Sequence, residues 1–270
     1  MRVLYIMGAF YLAALFLLWA GRFGKLSRKP AAAASLACLL AGSGMLAAAV
    51  APSGNSYGKT VTRLTDLPVA AASGRYIALT FDDGPYPPYT ERLLDVLKEK
   101  KAHATFFLVA DQAQRHPELV KRMAAEGHTV GLHAFRHRDF LKLSAEEKAK
   151  DLTLGKKALQ DIAGRVPVFW RPPHGFRDFS VTEAAVTNML TTVNWSVVPR
   201  DWTGIDRQEI CKRVMDHAED GAIVLLHDGD APFYKASRQA TVDATALLID
   251  SLREKGYHLV SLEEYVRNGR

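Results

Sequence analysis

The chain has 270 residues, 48 % of them hydrophobic, and carries 35 Lys and Arg against 29 Asp and Glu for a formal net charge of +6. That length holds one domain of moderate size plus an appendage. Outside one short basic segment the charges are interspersed, and no long basic stripe carries interleaved aromatics, so nucleic acid is not an expected partner. The two cysteines, Cys38 and Cys211, have no CxxC neighbours, which excludes a disulfide framework and a thiolate zinc site.

Val3 to Ala20 and Ala31 to Pro52 are free of charged residues. Each is close to the roughly 20 residues that cross a hydrocarbon core of about 30 Å. The intervening GRFGKLSRKP carries Arg22, Lys25, Arg28 and Lys29. Positive residues in short loops stay cytoplasmic. A hairpin of two spanning helices (residues 3–20 and 31–52) therefore puts this loop inside and everything beyond about Ser53 outside. A rival arrangement has one anchor followed by a signal-like run from Lys25 to Ala51, and a third makes both segments buried helices of a soluble protein. The first two share an extracytoplasmic main domain held at a cell membrane. Residues 53–75 hold Ser, Gly, Asn, Thr and Pro with little periodicity and read as a linker or a wrapping segment, leaving residues 76–270 as the main domain.

Along that domain, Tyr76 to Phe81 is a β-rich apolar run ending in Asp-Asp-Gly-Pro, a buried strand that enters a loop. Thr90 to Lys101 has helical spacing, Thr105 to Val109 reads as a strand, and Pro117 to Glu126 as a helix with Gly127 as its C-cap. Thr129 to Leu132 is a third strand, and Ser144 to Ala163 a long helix opened by a Ser144-x-x-Glu147 capping box. Val168 to Trp170, Thr191 to Trp195, Ala222 to Leu226 and His258 to Ser261 complete seven expected strands. Helices over Val181 to Asn188, Asp206 to Ala218 and Ser237 to Glu254 lie among them. Strands alternating with helices predict βα units, a parallel sheet and an α/β fold of the (β/α)-barrel type. The polar clusters follow the C-terminal ends of the strands, where such folds place their chemistry.

Five clusters carry reactive side chains. Asp82 and Asp83 are adjacent carboxylates at a strand end, and an extended backbone points neighbouring side chains in opposite directions. One is then free to bind a cation while the other reaches a water. His133 and His137 are four apart, which on a helical turn lets both converge on one metal, with Asp83 completing a His₂-carboxylate set. Arg171-Pro172-Pro173-His174-Gly175 is a stiff loop whose arginine suits a carboxylate such as Asp82. Asp201-Trp202 and Leu225-Leu226-His227 supply a histidine and a carboxylate partner for acid catalysis. Taken singly, each also fits a turn, a surface histidine or a rigid loop.

Their joint occurrence, in order and at successive strand ends, resembles the NodB-type polysaccharide deacetylases, carbohydrate esterase family four, over about Arg75 to Val266. TFDDGP, His133 to His137, RPPHG, Asp201-Trp202 and Leu225-Leu226-His227 are similar to that family's successive motifs. The resemblance implies a distorted (β/α) barrel with fewer than eight complete units. It also implies that Asp83, His133 and His137 hold one divalent metal, usually zinc, with cobalt, manganese or nickel as alternatives. By the same resemblance Asp82 is the general base paired with Arg171, and His227 is the general acid supported by Asp201. The oxyanion then rests on the metal and a backbone N–H near His174, Leu225 lines the acetyl pocket, and Trp202 packs nearby. The implied reaction is hydrolysis of N-acetyl groups on an envelope or chitin-like glycan. A lipid-linked sugar and a metal-binding scaffold without activity are the competing readings, and O-deacetylation uses the same machinery.

Two positions depart from the family pattern. Ala134 stands where Ser or Thr is usual, so the metal loop is expected to be held differently and to bind metal less tightly, and His174 stands where an aromatic is common, so the substrate platform is expected to differ. Neither removes a metal ligand or an acid–base group. No feature of the sequence sets an oligomeric state.

Overall fold

The computed structural model describes residues 3–69 and 74–269; residues 70–73 of the expected linker, the first two residues and Arg270 lie outside the described residues. Helices α1 (Val3–Arg22) and α2 (Arg28–Val50) pack antiparallel as a hairpin. Small residues line the seam: Ala14, Ala31, Ser35 and Gly42 are buried, and Ser35 Oγ donates to the Ala14 carbonyl at 2.9 Å. Such residues let two helices approach closely. Leu12, Phe16, Leu18, Trp19, Leu36 and Leu40 point outward and are exposed. Both helices are long and apolar enough to cross a membrane, by length and composition.

The main domain alternates strands and helices. In chain order these are β1 (Arg75–Asp82), α3 (Tyr89–Glu99), β2 (Thr105–Val109), α4 (Ala110–Arg115), α5 (Pro117–Ala125) and β3 (Thr129–Ala134). Then follow α6 (Ala145–Ala163), β4 (Phe169–Trp170), α7 (Phe179–Thr187), β5 (Thr191–Thr192), α8 (Arg207–His217) and β6 (Ala222–His227). The last are α9 (Gln239–Glu254), β7 (Tyr257–Leu259) and α10 (Leu262–Asn268). Six of the seven described strands pair in parallel in the order β5-β4-β3-β2-β1-β6. Strand β7 pairs with the start of β1, through Arg75 to Ile77.

The barrel is distorted because irregular backbone stands where staves are missing. Beyond Thr192 the fifth expected strand stops being regular. Val193 bridges to Val61, and Val197 bridges to Val224 of β6. The 53–75 segment therefore takes the wrapping form over Tyr57 to Leu67: Val61 and Leu64 sit in the inner core, and Arg63 bridges to Ala222. The last strand is Tyr257–Leu259 rather than His258 to Ser261, because Ser261 instead caps α10. Its hydroxyl accepts from Glu264 N, and the Glu264 carboxylate accepts from Ser261 N. That capping box is the same device that opens α6 at Ser144 and Glu147.

Two-residue periodicity sorts the side chains of β1. Ile77, Leu79 and Phe81 pack toward the helices, whereas Ala78 joins an inner cluster with Phe107, Phe169, Val193 and Ile223. Thr80 and Asp82 share that inner face, where both accept hydrogen bonds from Arg171.

One buried ion pair ties α6 to α7. Lys148 Nζ donates to Asp178 Oδ1 and Oδ2 at 3.0 and 3.1 Å and to Ser180 Oγ at 2.6 Å, and both charged side chains are fully buried. Asp178 also caps α7 by accepting from Val181 N. Replacing one partner of such a pair strands the other charge. The Asp178→Ala protein is expected to lose about 3–5 kcal/mol of stability, read as a clear fall in melting temperature beside the parent.

Candidate active site

Asp82 ends β1 with its carboxylate on the inner face. Asp83 does not continue the strand: its φ of 75° is left-handed. An extended Asp83 would turn its side chain away from Asp82. The left-handed turn instead brings both carboxylates to one place, with Asp82 Oδ2 4.0 Å and Asp83 Oδ1 3.4 Å from His133 Nε2. The expectation that adjacent carboxylates point apart is thus overturned by one backbone torsion, in a region that Asp tolerates better than most residues. The loop after β6 packs directly beneath: a Cβ on Gly229 would collide with the Asp83 carbonyl.

His133 lies in β3 and His137 in the loop that follows, so the pair converges across a strand end rather than along a helical turn. His133 Nδ1 lies 2.7 Å from the Arg171 carbonyl. A carbonyl only accepts, so Nδ1 carries the proton and Nε2 is left facing the carboxylates. His137 Nε2 also stands 3.4 Å from Asp83 Oδ1. That oxygen is buried and has no hydrogen-bond partner.

Two donors bound tetrahedrally at about 2.0–2.1 Å to one zinc ion stand about 3.3–3.4 Å apart. The 3.4 Å separations from Asp83 to both imidazoles match that spacing, and the three donor atoms all lie within 4.8 Å of one another. The donor set, one carboxylate and two imidazoles, suits a borderline divalent ion such as zinc. Burial opposes ionisation of Asp83, yet the neighbouring histidines hold its carboxyl far below the usual range. Burial, with His133 beside it, pushes His137 down to about 4, leaving a neutral imidazole. Burial likewise opposes charge on His133, but Asp82 and Asp83 raise it. A proton on His133 and a cation thus compete for the same gap.

Ala134 has no hydroxyl to offer the loop between the two histidines, and Asp151 of α6 supports it. Asp151 Oδ1 accepts from Phe135 N at 2.7 Å, and Asp151 Oδ2 lies 3.5 Å from the Arg138 guanidinium. His174 sits in a 3-10 turn with a left-handed φ of 60°, and its ring meets His137 edge-on at 4.9 Å.

On the opposite side, His227 Nδ1 lies 2.9 Å from Asp201 Oδ1, and Asp201 Oδ2 accepts from His227 N and Thr241 Oγ1. The imidazole therefore presents Nε2 outward. Burial alone would depress its pKa, but the Asp201 carboxylate more than offsets this and lifts it to about 9. The Trp202 ring packs against it at 5.0 Å.

Asp82, Asp83, His133, His137, His174, Trp202, Leu225 and His227 all line one cleft of about 450 Å³. Arg171 and Asp201 stand behind the wall and orient its carboxylate and imidazole. Gly175, Phe176, Trp195, Asp230, Ala231, Phe233 and Arg238 complete the lining; apart from Gly175 they belong to no motif, and isolated loop residues carry no sequence signal. Asp228 follows His227 in the fifth cluster and has no role in the resemblance. It is fully buried, accepts from Thr90 Oγ1 at 2.6 Å, and burial with nearby Asp83 raises it to about 7 against that hydrogen bond.

A sequence profile for the polysaccharide deacetylase family matches residues 70–193. A peptidoglycan-N-acetylglucosamine deacetylase of Bacillus cereus is 38 % identical over 195 residues, covering 72 % of this chain and 89 % of that protein. A chitooligosaccharide deacetylase of Rhizobium leguminosarum bv. trifolii is 35 % identical over 72 % of this chain and 94 % of its own. Among solved structures, the peptidoglycan deacetylase PdaC from Bacillus subtilis superposes with a TM-score of 0.65 at 34 % identity, covering 73 % of this chain and 92 % of that one. A carbohydrate esterase family 4 pseudoenzyme from Bacillus anthracis also superposes, with a TM-score of 0.67 at 25 % identity over 77 % of this chain and 69 % of its own. The motif order, the curled parallel sheet and these relatives agree: the chain belongs to the NodB-type polysaccharide deacetylases, carbohydrate esterase family four.

Proposed function

We propose that this protein is a metal-dependent hydrolase that removes acetyl groups from N-acetylated amino sugars outside a cell membrane. The observation that carries the reading is the orphaned Asp83 Oδ1, 3.4 Å from two imidazole nitrogens, beside a pinned carboxylate and a buried histidine–aspartate pair. Asp83, His133 and His137 hold a divalent cation, which supplies Lewis acidity to the acetyl carbonyl and to water.

The chain's own groups then divide the proton work. Arg171 occupies Asp82 Oδ1 at 2.7 Å, so Oδ2 is the oxygen that takes the proton of the attacking water. As water adds to the carbonyl carbon and the C–N bond breaks, His227 Nε2 gives a proton to the departing amine. Asp201 stabilises the imidazolium needed for that step. Leu225 forms the apolar seat for the methyl group, while Trp202 and His174 border the sugar. The products are acetate and a free amino sugar. A scaffold that has lost activity has no need of this whole set, which favours the enzymatic reading over that of an inactive protein.

Residues 3–50 form the membrane anchor. The ends of the hairpin that touch the main domain are Val3 and Ala49, so the turn bearing Arg22, Lys25, Arg28 and Lys29 lies at the far end. Positive residues stay cytoplasmic, and the cleft then lies outside.

With zinc-loaded protein and N-acetylated chitooligosaccharides, Asp82→Asn is expected to lower kcat by roughly 10²–10⁴-fold while still binding zinc. His133→Ala is expected to lose zinc binding together with acetate release. Equal acetate release by parent, Asp82→Asn and chelator-treated protein contradicts the mechanism. Asp151→Ala should weaken zinc binding by about 10–100-fold in a calorimetric titration, because it frees the loop between the two histidines.

The pH profile tests the acid. His227 must be protonated to act, so activity falls as pH rises through its pKa. Asp201 raises that pKa, so Asp201→Asn is expected to move the alkaline limb of kcat to lower pH by about 1–3 units. An unmoved limb removes His227 from the acid role.

A further inference from the structure

The anchor does not hang from the main domain on a free tether. Val3, Ala49, Tyr57 and Leu141 form one buried cluster, against which Met45, Ala48 and the cleft residue Phe176 pack. Polar bonds lock the same joint. Arg177 donates to the carbonyls of Ala51, Pro52 and Gly54, and its backbone N–H donates to the Ala49 carbonyl at 2.9 Å. Asn194 Nδ2 donates to the Pro52 carbonyl at 2.9 Å and to the Gly175 carbonyl at 3.2 Å. Val3 N donates to the buried Asp178 carboxylate at 3.4 Å, and Tyr57 Oη donates to the Met45 carbonyl at 2.9 Å.

Gly175 and Phe176 belong to the cleft wall, and Phe176 also packs against the hairpin's outer end, so that end adjoins the active-site rim. Past the charged Arg28 and Lys29, the residues of α2 from Pro30 to Val50 rise about 31 Å at 1.5 Å each, close to the thickness of a hydrocarbon core, which places Val50 at the lipid boundary. The headgroup layer beyond adds roughly 5–7 Å on each side. Phe179, whose ring meets Tyr57 edge-on at 5.0 Å, is 56 % exposed beside this joint. Residues 57–67 could otherwise have let the domain swing outward, but they are built into the barrel.

We infer that the cleft is held at the bilayer surface, and that its substrate is an N-acetylated amino sugar carried on a lipid of that membrane. This rests on the deacetylase reading above. A site fixed at headgroup height meets lipid-borne sugars at the high effective concentration of a shared surface, whereas a distant polymer has to come to it.

The test uses the full-length, zinc-loaded protein in phospholipid vesicles. One probe is an N-acetylglucosaminyl lipid in the same vesicles; the other is soluble chitotetraose at the same bulk sugar concentration. Acetate release from the lipid-borne sugar is expected to be at least about tenfold faster. Val3→Asp puts a carboxylate into the buried seat facing Asp178; it is expected to lower the rate on the lipid-borne sugar several-fold and to spare the soluble one. Equal or faster release from chitotetraose overturns the lipid assignment and leaves the deacetylase intact. An unchanged ratio in Val3→Asp overturns the role of the docked anchor. No acetate from either probe overturns the deacetylase reading together with this inference.

Discussion

Arg171 is the residue on which the site depends, and it acts through both of its ends. Its guanidinium lies fully buried in the barrel, over the Phe107 ring at 4.2 Å. There it donates to Asp82, Thr80 and the carbonyls of Val193 and Asn194. Its own carbonyl accepts from His133 Nδ1. One residue therefore fixes which oxygen of Asp82 is free and which nitrogen of His133 faces the gap. A charge this deep is tolerable because a carboxylate and three neutral acceptors answer it, and removing the carboxylate would leave it uncompensated.

The irregular barrel follows from the same requirement. A regular stave after β5 would have completed the sheet. Instead the chain leaves the ladder at Val193, and the Val193 and Asn194 carbonyls are free to accept from Arg171. The wrapping segment through Val61 and Leu64 closes the wall that this departure opens. Asp83, His174 and Arg200, next to Asp201, have left-handed φ at the site, as do Lys101, Met189 and Tyr234 elsewhere in the described chain.

Much of this was legible in the sequence because short-range rules govern it. The order of the seven strands, the bounds of all but β5 to within two residues, the Ser144 cap and the run of polar clusters at strand ends depend on periodicity and local hydrogen bonding, and they fall where those rules put them. What was not legible depends on torsions and distant contacts. The left-handed Asp83 reverses the alternation that a strand end implies. The early end of β5 is set by Val61, far away in the chain, and the support of the metal loop by Asp151 on another helix. Phe233 and Phe176 line the cleft without any pattern to announce them. The joint between Val3 and Asp178 spans 175 positions and has no trace in either local sequence.

The central claim is that Asp83, His133 and His137 close on one divalent cation beside a pinned base and a charged acid. The most direct measurement is anomalous X-ray scattering at the zinc edge from crystals of the full-length protein grown with zinc. The account predicts one strong peak in the cleft, within bonding distance of Asp83 Oδ1 and the Nε2 atoms of His133 and His137. A cleft without a peak, or a zinc ion held by other residues, would contradict it.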